Sequence, residues 1–186
     1  MGQRRKLRKS EENSSAQHTP RGIRERSFQR AIKLLAARPR SIAELREKLL
    51  HGRSANRAVV EVVIERLREY GYLDDKRFAI GYAATRVCQR PIGRQRLQHD
   101  LALRKVDRSV VEEALDSVFA ETSEEDLIVL AIEKRIRVRG RPKNRAEAKS
   151  LFDHLLRQGF PHDLALESTK ALLKTSLDNE TAAGDI

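Results

Sequence analysis

Leu101, Lys105, Val106 and Val110 recur as Leu155, Gly159, Phe160 and Leu164 at one constant spacing of 54 residues. The same passage occurs once more, with one extra residue, between Leu49 and Val59, and Phe28 is answered by Phe78 50 residues on. Self-similarity at such a period marks a repeat architecture. A unit this small buries too little surface to stand alone, so neighbouring copies must stack to complete their cores. The spacings give three copies, over residues 27–73, 74–121 and 122–174.

Each copy carries the punctuation of helices. Pro39 ends one helix, and Ser41-Ile42-Ala43-Glu44 opens the next as a capping box, in which Ser41 accepts from the amide of Glu44 while Glu44 reaches back. Leu45, Leu49 and Leu50 form its apolar stripe, and Gly52 stops it. Val59, Val60, Val63, Ile64 and Leu67 form the stripe of a third helix, which ends at Gly71 in a Schellman pattern with Tyr72 set to pack on Leu67. Gly159 repeats this ending with Phe160 and Leu155. No segment alternates with period two long enough to argue a strand. The expected fold is all-α, an elongated tandem array of three three-helix repeats. Residues 1–26 hold eight basic and three acidic residues among Ser, Asn, Gln and Pro, which predicts a disordered basic arm, and residues 175–186 read as a flexible tail.

Charge narrows the function. With 38 Lys and Arg against 27 Asp and Glu, the net charge of +11 favours polyanions or an acidic protein surface as partner. Five Phe, three Tyr and no Trp, most of them on apolar stripes, leave little for a base-stacking platform, so nucleic-acid contact would lean on phosphates. The longest apolar stretches, such as Val59 to Ile64, fall far short of the roughly 20 residues that span a bilayer. Met1 to Ser10 lacks the apolar segment of a secretory signal, and Lys6 stands where a myristoylation signal wants Ser or Thr, so a cytoplasmic location with no membrane contact is expected. Cys88 is the single cysteine and can form no internal disulfide.

Catalytic signals are sparse. The five histidines never form the His-Glu-x-x-His helix of a zinc protease, and Gly140-Arg141-Pro142-Lys143 lacks the glycine spacing and the hydroxyl residue of a phosphate loop. Cys88, near the end of an apolar helix, reads as a buried structural thiol. Asp74-Asp75 reads as a helix cap rather than a carboxylate pair, with Asp75 the better fit. No catalytic, cofactor-binding or metal-ligating residue is expected, and the chain does not read as an enzyme.

Binding surfaces are better marked. On the helix after Gly93, Leu97 and Leu101 face inward, which places Arg96, His99 and Leu103 on the opposite face. A second basic cluster, Lys134, Arg135, Arg137, Arg139, Arg141, Lys143 and Arg145, surrounds the Gly140/Pro142 break, where a loop can offer guanidinium forks to phosphates or carboxylates. Between the two lies an acidic stretch including Glu112, Glu113, Asp116, Glu121, Glu124, Glu125 and Asp126, part of it capping a helix at Ser123.

At Gly71-Tyr72-Leu73-Asp74-Asp75-Lys76-Arg77-Phe78-Ala79 the chain resembles the RecX family of recombination regulators. Arg38-Pro39-Arg40-Ser41 with Glu44-Leu45 and Lys48-Leu49, Gly93-Arg94 with Leu97 and Leu101, and Leu155-Leu156-Arg157-Gln158-Gly159-Phe160 resemble that family's first, second and third repeats. The resemblance covers about residues 28–173 and leaves both ends aside. It implies tandem three-helix repeats, binding of the RecA recombinase in the groove of its filament on DNA, and inhibition of ATP hydrolysis, strand exchange and co-protease activity. Tyr72, Leu73 and Phe78 read physically as core and turn residues, not as contacts. The expected contacts with filament or DNA are Arg94, Arg96, Arg104, Lys105, Arg135, Arg137, Arg139, Arg141, Lys143 and Arg145, on a monomer. The alternative is a phosphate-driven DNA-binding protein that needs no recombinase. A nucleic-acid enzyme would need clustered carboxylates for a metal, and the sequence offers none.

Overall fold

The computed structural model describes residues 19–52 and 56–182, and these form nine helices and no strand. In chain order they are α1 (Pro20–Ala37), α2 (Ile42–Leu50), α3 (Arg57–Glu69), α4 (Asp75–Gln89), α5 (Arg94–Leu103), α6 (Arg108–Glu121), α7 (Glu124–Arg139), α8 (Arg145–Arg157) and α9 (His162–Ala182). The chain is an all-α helical repeat array.

Local chemistry sets the boundaries. The Ser41 box is complete, with the Glu44 amide donating to Ser41 Oγ at 3.1 Å and the Ser41 amide to Glu44 Oε2 at 3.4 Å. Asn56, Ser123 and Asn144 cap α3, α7 and α8 in the same manner. Gly71 and Gly159 both take the left-handed conformation, with φ of 68° and 86°. Behind them the amides of Tyr72 and Phe160 donate to the carbonyls of Leu67 and Leu155, which is the Schellman ending at both helices. Lys105, 54 residues before Gly159, is left-handed as well, at φ 58°, so the repeat extends to backbone conformation. Leu49, Leu101 and Leu155, at matching positions, are exposed by 1%, 0% and 0%.

The helices pack into two compact units. The first takes the described residues up to Phe78 together with Arg104–Val106; the second takes Ala79–Leu103 and the chain from Asp107 onward. Phe28, Ala31, Leu45, Leu49, Val60, Val63, Ile64, Leu67 and Leu73 form the core of the first. In the second, Leu127, Ile128, Ala131, Ile132, Leu151, Leu155, Phe160 and Ala165 form one cluster, with Val87 and Phe119 packed against it.

Several expectations are corrected. The first helix begins at Pro20 rather than after residue 26, because Thr19 accepts from the Gly22 amide and Pro20 is preset for the first helical position; residues 1–18 of the expected arm lie outside the described residues. The expected tail from residue 175 continues α9 to Ala182, and residues 183–186 lie outside the description. Asp74, not Asp75, caps α4: its carboxylate accepts from the Lys76 and Arg77 amides at 2.8 and 3.1 Å. Cys88 is exposed, Leu50 leaves its stripe for the surface, and Tyr72 is 58% exposed, standing edge-on to Tyr70. Helical periodicity says which residues share a face, but a residue at the edge of a stripe is covered only if a neighbour reaches it.

Candidate functional site

Two groups of cations were expected to carry contacts, and the fold treats them differently. In the first unit the turn Arg104–Val106 lies against the start of α2. Ser41 Oγ donates to the Arg104 carbonyl at 2.6 Å, Arg104 Nη1 meets Glu44 Oε1 at 3.0 Å, and Lys105 pairs with Glu47. The Asp75 carboxylate accepts from the Ile42 amide at 2.8 Å, the first residue of α2.

In the second unit the same joint recurs one repeat further on. The turn 158–160 lies against the start of α5, with the Gly93 amide donating to the Gln158 carbonyl at 3.0 Å and the Gln95 amide to the Gly159 carbonyl at 3.2 Å. A Cβ on Gly93 would overlap the Gly159 carbonyl, so the two backbones touch directly. Glu124, the first residue of α7, accepts from the amide of Arg94, the first residue of α5, at 2.7 Å. Asp75 and Glu124 thus do the same work: each opens a helix and closes the N-terminus of another, where unpaired amides attract a carboxylate. Burial raises both carboxyls above their ordinary values, against the opposing hydrogen bonds from Ile42 and Arg94.

Arg94, Arg96, Arg104 and Lys105 are therefore engaged within the fold. Arg94 Nη2 lies 2.6 Å from Asp116, and Arg96 Nε lies 3.2 Å from the buried Asp100, which Arg86 and Tyr82 also approach. The face of α5 opposite its core is exposed as expected, with Arg96 and His99 outward and Leu103 68% exposed.

The second group is different in kind. Ser123 and the acidic residues Glu124, Glu125 and Asp126 open α7, and Arg137 and Arg139 close it, each sign at the end of the macrodipole that favours it. Gly140, at φ 80°, turns the chain, Pro142 is buried, and Asn144 starts α8 with Glu147 reaching back to the Lys143 amide. Arg137, Arg139, Arg141, Lys143 and Arg145 are all exposed, and among the described residues no carboxylate pairs with their head groups. Arg135 is half-buried and shares with Arg139 and Ser150 a cleft of about 240 Å³. Arg135 also lines a second cleft with Arg90, Lys134, His154 and Gln158. Sequence reasoning missed Arg90, His154 and Gln158. Arg90 follows α4 whereas His154 and Gln158 lie at the end of α8, far along the chain, and no local pattern marks their meeting. Among the described residues no group of three or more His, Cys, Asp or Glu is placed to hold a metal ion, and no helix is long and apolar enough to cross a membrane.

Fold and surface together define a helical-repeat protein that presents an unpaired basic segment. Residues 74–115 match the family model described as RecX, second three-helix domain. Proteins named regulatory protein RecX are similar over longer stretches. That of Thermobifida fusca is 30% identical over 134 residues, covering 72% of this chain and 71% of its own; that of Treponema pallidum is 41% identical over 110 residues, covering 59% and 66%. The Bacillus licheniformis protein is 28% identical over 158 residues, 85% of this chain, which spans 58% of that relative's length. The crystal structure of RecX from Lactobacillus salivarius has the same fold at 19% identity, with a TM-score of 0.70 over 82% of this chain and 97% of that one. The chain belongs to the RecX family of regulatory proteins.

Proposed function

We propose that this chain is a non-enzymatic negative regulator of the RecA recombinase, binding in the groove of the RecA–DNA filament and slowing ATP hydrolysis, strand exchange and co-protease activity. Membership of the RecX family carries the reading, through the Thermobifida fusca relative that is matched over 71% of its length. The exposed, unpaired cations from Arg137 to Arg145 supply a contact surface for it. A chain that binds one filament conformation better than another biases the filament without any chemistry of its own.

The test is a titration of the chain against preformed filaments on single-stranded DNA at fixed salt, following ATP hydrolysis. Inhibition is expected below one chain per recombinase subunit, and a version beginning at Thr19 is expected to retain it. Inhibition that requires full coverage of the strand, and that disappears with excess DNA, would replace this reading with phosphate-driven DNA binding.

A further inference from the structure

We propose that the cleft where Arg90, Lys134, Arg135 and His154 converge is a binding site for a phosphate group of a nucleic-acid strand. Arg90 follows the last residue of α4, Lys134 and Arg135 belong to α7, and His154 to α8, so three helices build the site within one compact unit. The cleft measures about 300 Å³. Pro91, the buried Ala131 and the exposed Val138 add apolar atoms to its lining, and Gln158 adds an amide.

Its composition argues for an anion. No carboxylate lines it, and among the described residues none pairs with the head groups of Arg90, Lys134 or Arg135. Gathering like charges in a partly desolvated cleft is unfavourable, and His154 registers it: burial, then Arg135 and Arg157, hold its imidazole below the ordinary histidine value. An arriving anion relieves that repulsion.

Phosphate fits better than a protein carboxylate. A carboxylate presents its two oxygens in one plane, whereas a phosphodiester arranges two charged and two ester oxygens tetrahedrally, so that two guanidinium forks and an ammonium reach it from several directions together. A strand also supplies neighbouring phosphates to the exposed cations of residues 137–145. The inference does not rest on filament regulation, because the site should bind naked strand without a recombinase.

The experiment uses the full chain with three probes: a short single-stranded oligonucleotide, inorganic phosphate and polyglutamate. In the native chain the His154 ring signal is expected to titrate at higher pH when oligonucleotide or phosphate is present, and not with polyglutamate. Arg135→Gln is expected to weaken oligonucleotide binding about tenfold and to reduce the slope of log affinity against log salt by about 0.7, one phosphate contact on a single strand. Lys134→Gln, at an exposed position, repeats the test with little risk to folding. Unchanged affinity and slope in folded variants, an unmoved His154 signal, or equal response to polyglutamate would overturn the site. Inhibition of the recombinase measured on the same variants separates this outcome from the fate of the regulatory reading.

Discussion

Lys105 holds a backbone conformation that a residue with a side chain adopts only under constraint, at φ 58°, where its counterpart in the next repeat is Gly159 at φ 86°. A left-handed residue costs roughly 1–2 kcal/mol when it carries a Cβ, and glycine returns part of that gain through greater freedom in the unfolded chain. Lys105→Gly is therefore expected to stabilise the chain by about 0.5–1 kcal/mol, seen as a higher urea midpoint, even though the exposed pair with Glu47 is lost. Gly159 does not tolerate the reverse exchange. A Cβ there would overlap the backbone of Arg96 as well as strain φ, so Gly159→Ala is expected to cost about 2–4 kcal/mol in the same measurement. The two joints thus solve one geometric problem differently, with a serine side chain bridging at Ser41 and direct backbone contact at Gly93.

Helices α2 and α5 start on carboxylates borrowed from the next helix triplet, Asp75 and Glu124. Burial lifts both carboxyls above their ordinary values of 3.8 and 4.5. A carboxyl lifted by folding holds its proton more often in the folded than in the unfolded chain. Its contribution is present in full below the ordinary value and is lost as pH rises through the lifted one. Glu25, Glu47, Glu61 and Asp107 are lowered and act with the opposite sign, losing their contribution as pH falls. The difference between Asp75→Asn and the native chain isolates the first effect: the variant's deficit in urea midpoint is expected to be larger near pH 4 than near pH 7. The buried stripes give a simpler expectation. Leu101→Ala, at a fully buried position of α5, should cost about 2–5 kcal/mol, while Leu103→Ala, 68% exposed on the same helix, should leave the melting temperature nearly unchanged.

Across the described residues, the cations divide into those that the fold engages in ion pairs and those that it leaves exposed. Reversing Arg137, Arg139, Arg141, Lys143 and Arg145 to glutamate is expected to leave folding intact, since exposed charges contribute little to stability, and to weaken binding to filament or DNA. Arg94→Glu is expected to lower the melting temperature, because it sets a carboxylate beside Asp116 and Glu124 at the joint. This division was invisible in the chain read as a string. Helix existence, most caps, the leucine stripes and the repeat were legible there, because each is set by residues within about one turn of each other or by a spacing. Even then an adjacent pair misled: Asp74 caps its own helix and frees Asp75 for another. Long-range choice had no such trace. Arg104 finds Glu44, Arg94 finds Asp116 and Glu124, and Arg90 joins Arg135 and His154 only after packing. Cys88 and Tyr72 lie at the surface for the same reason. Periodicity orients a side chain about its own helix axis, whereas burial, ion pairing and convergence depend on which neighbour the tertiary structure brings to that face.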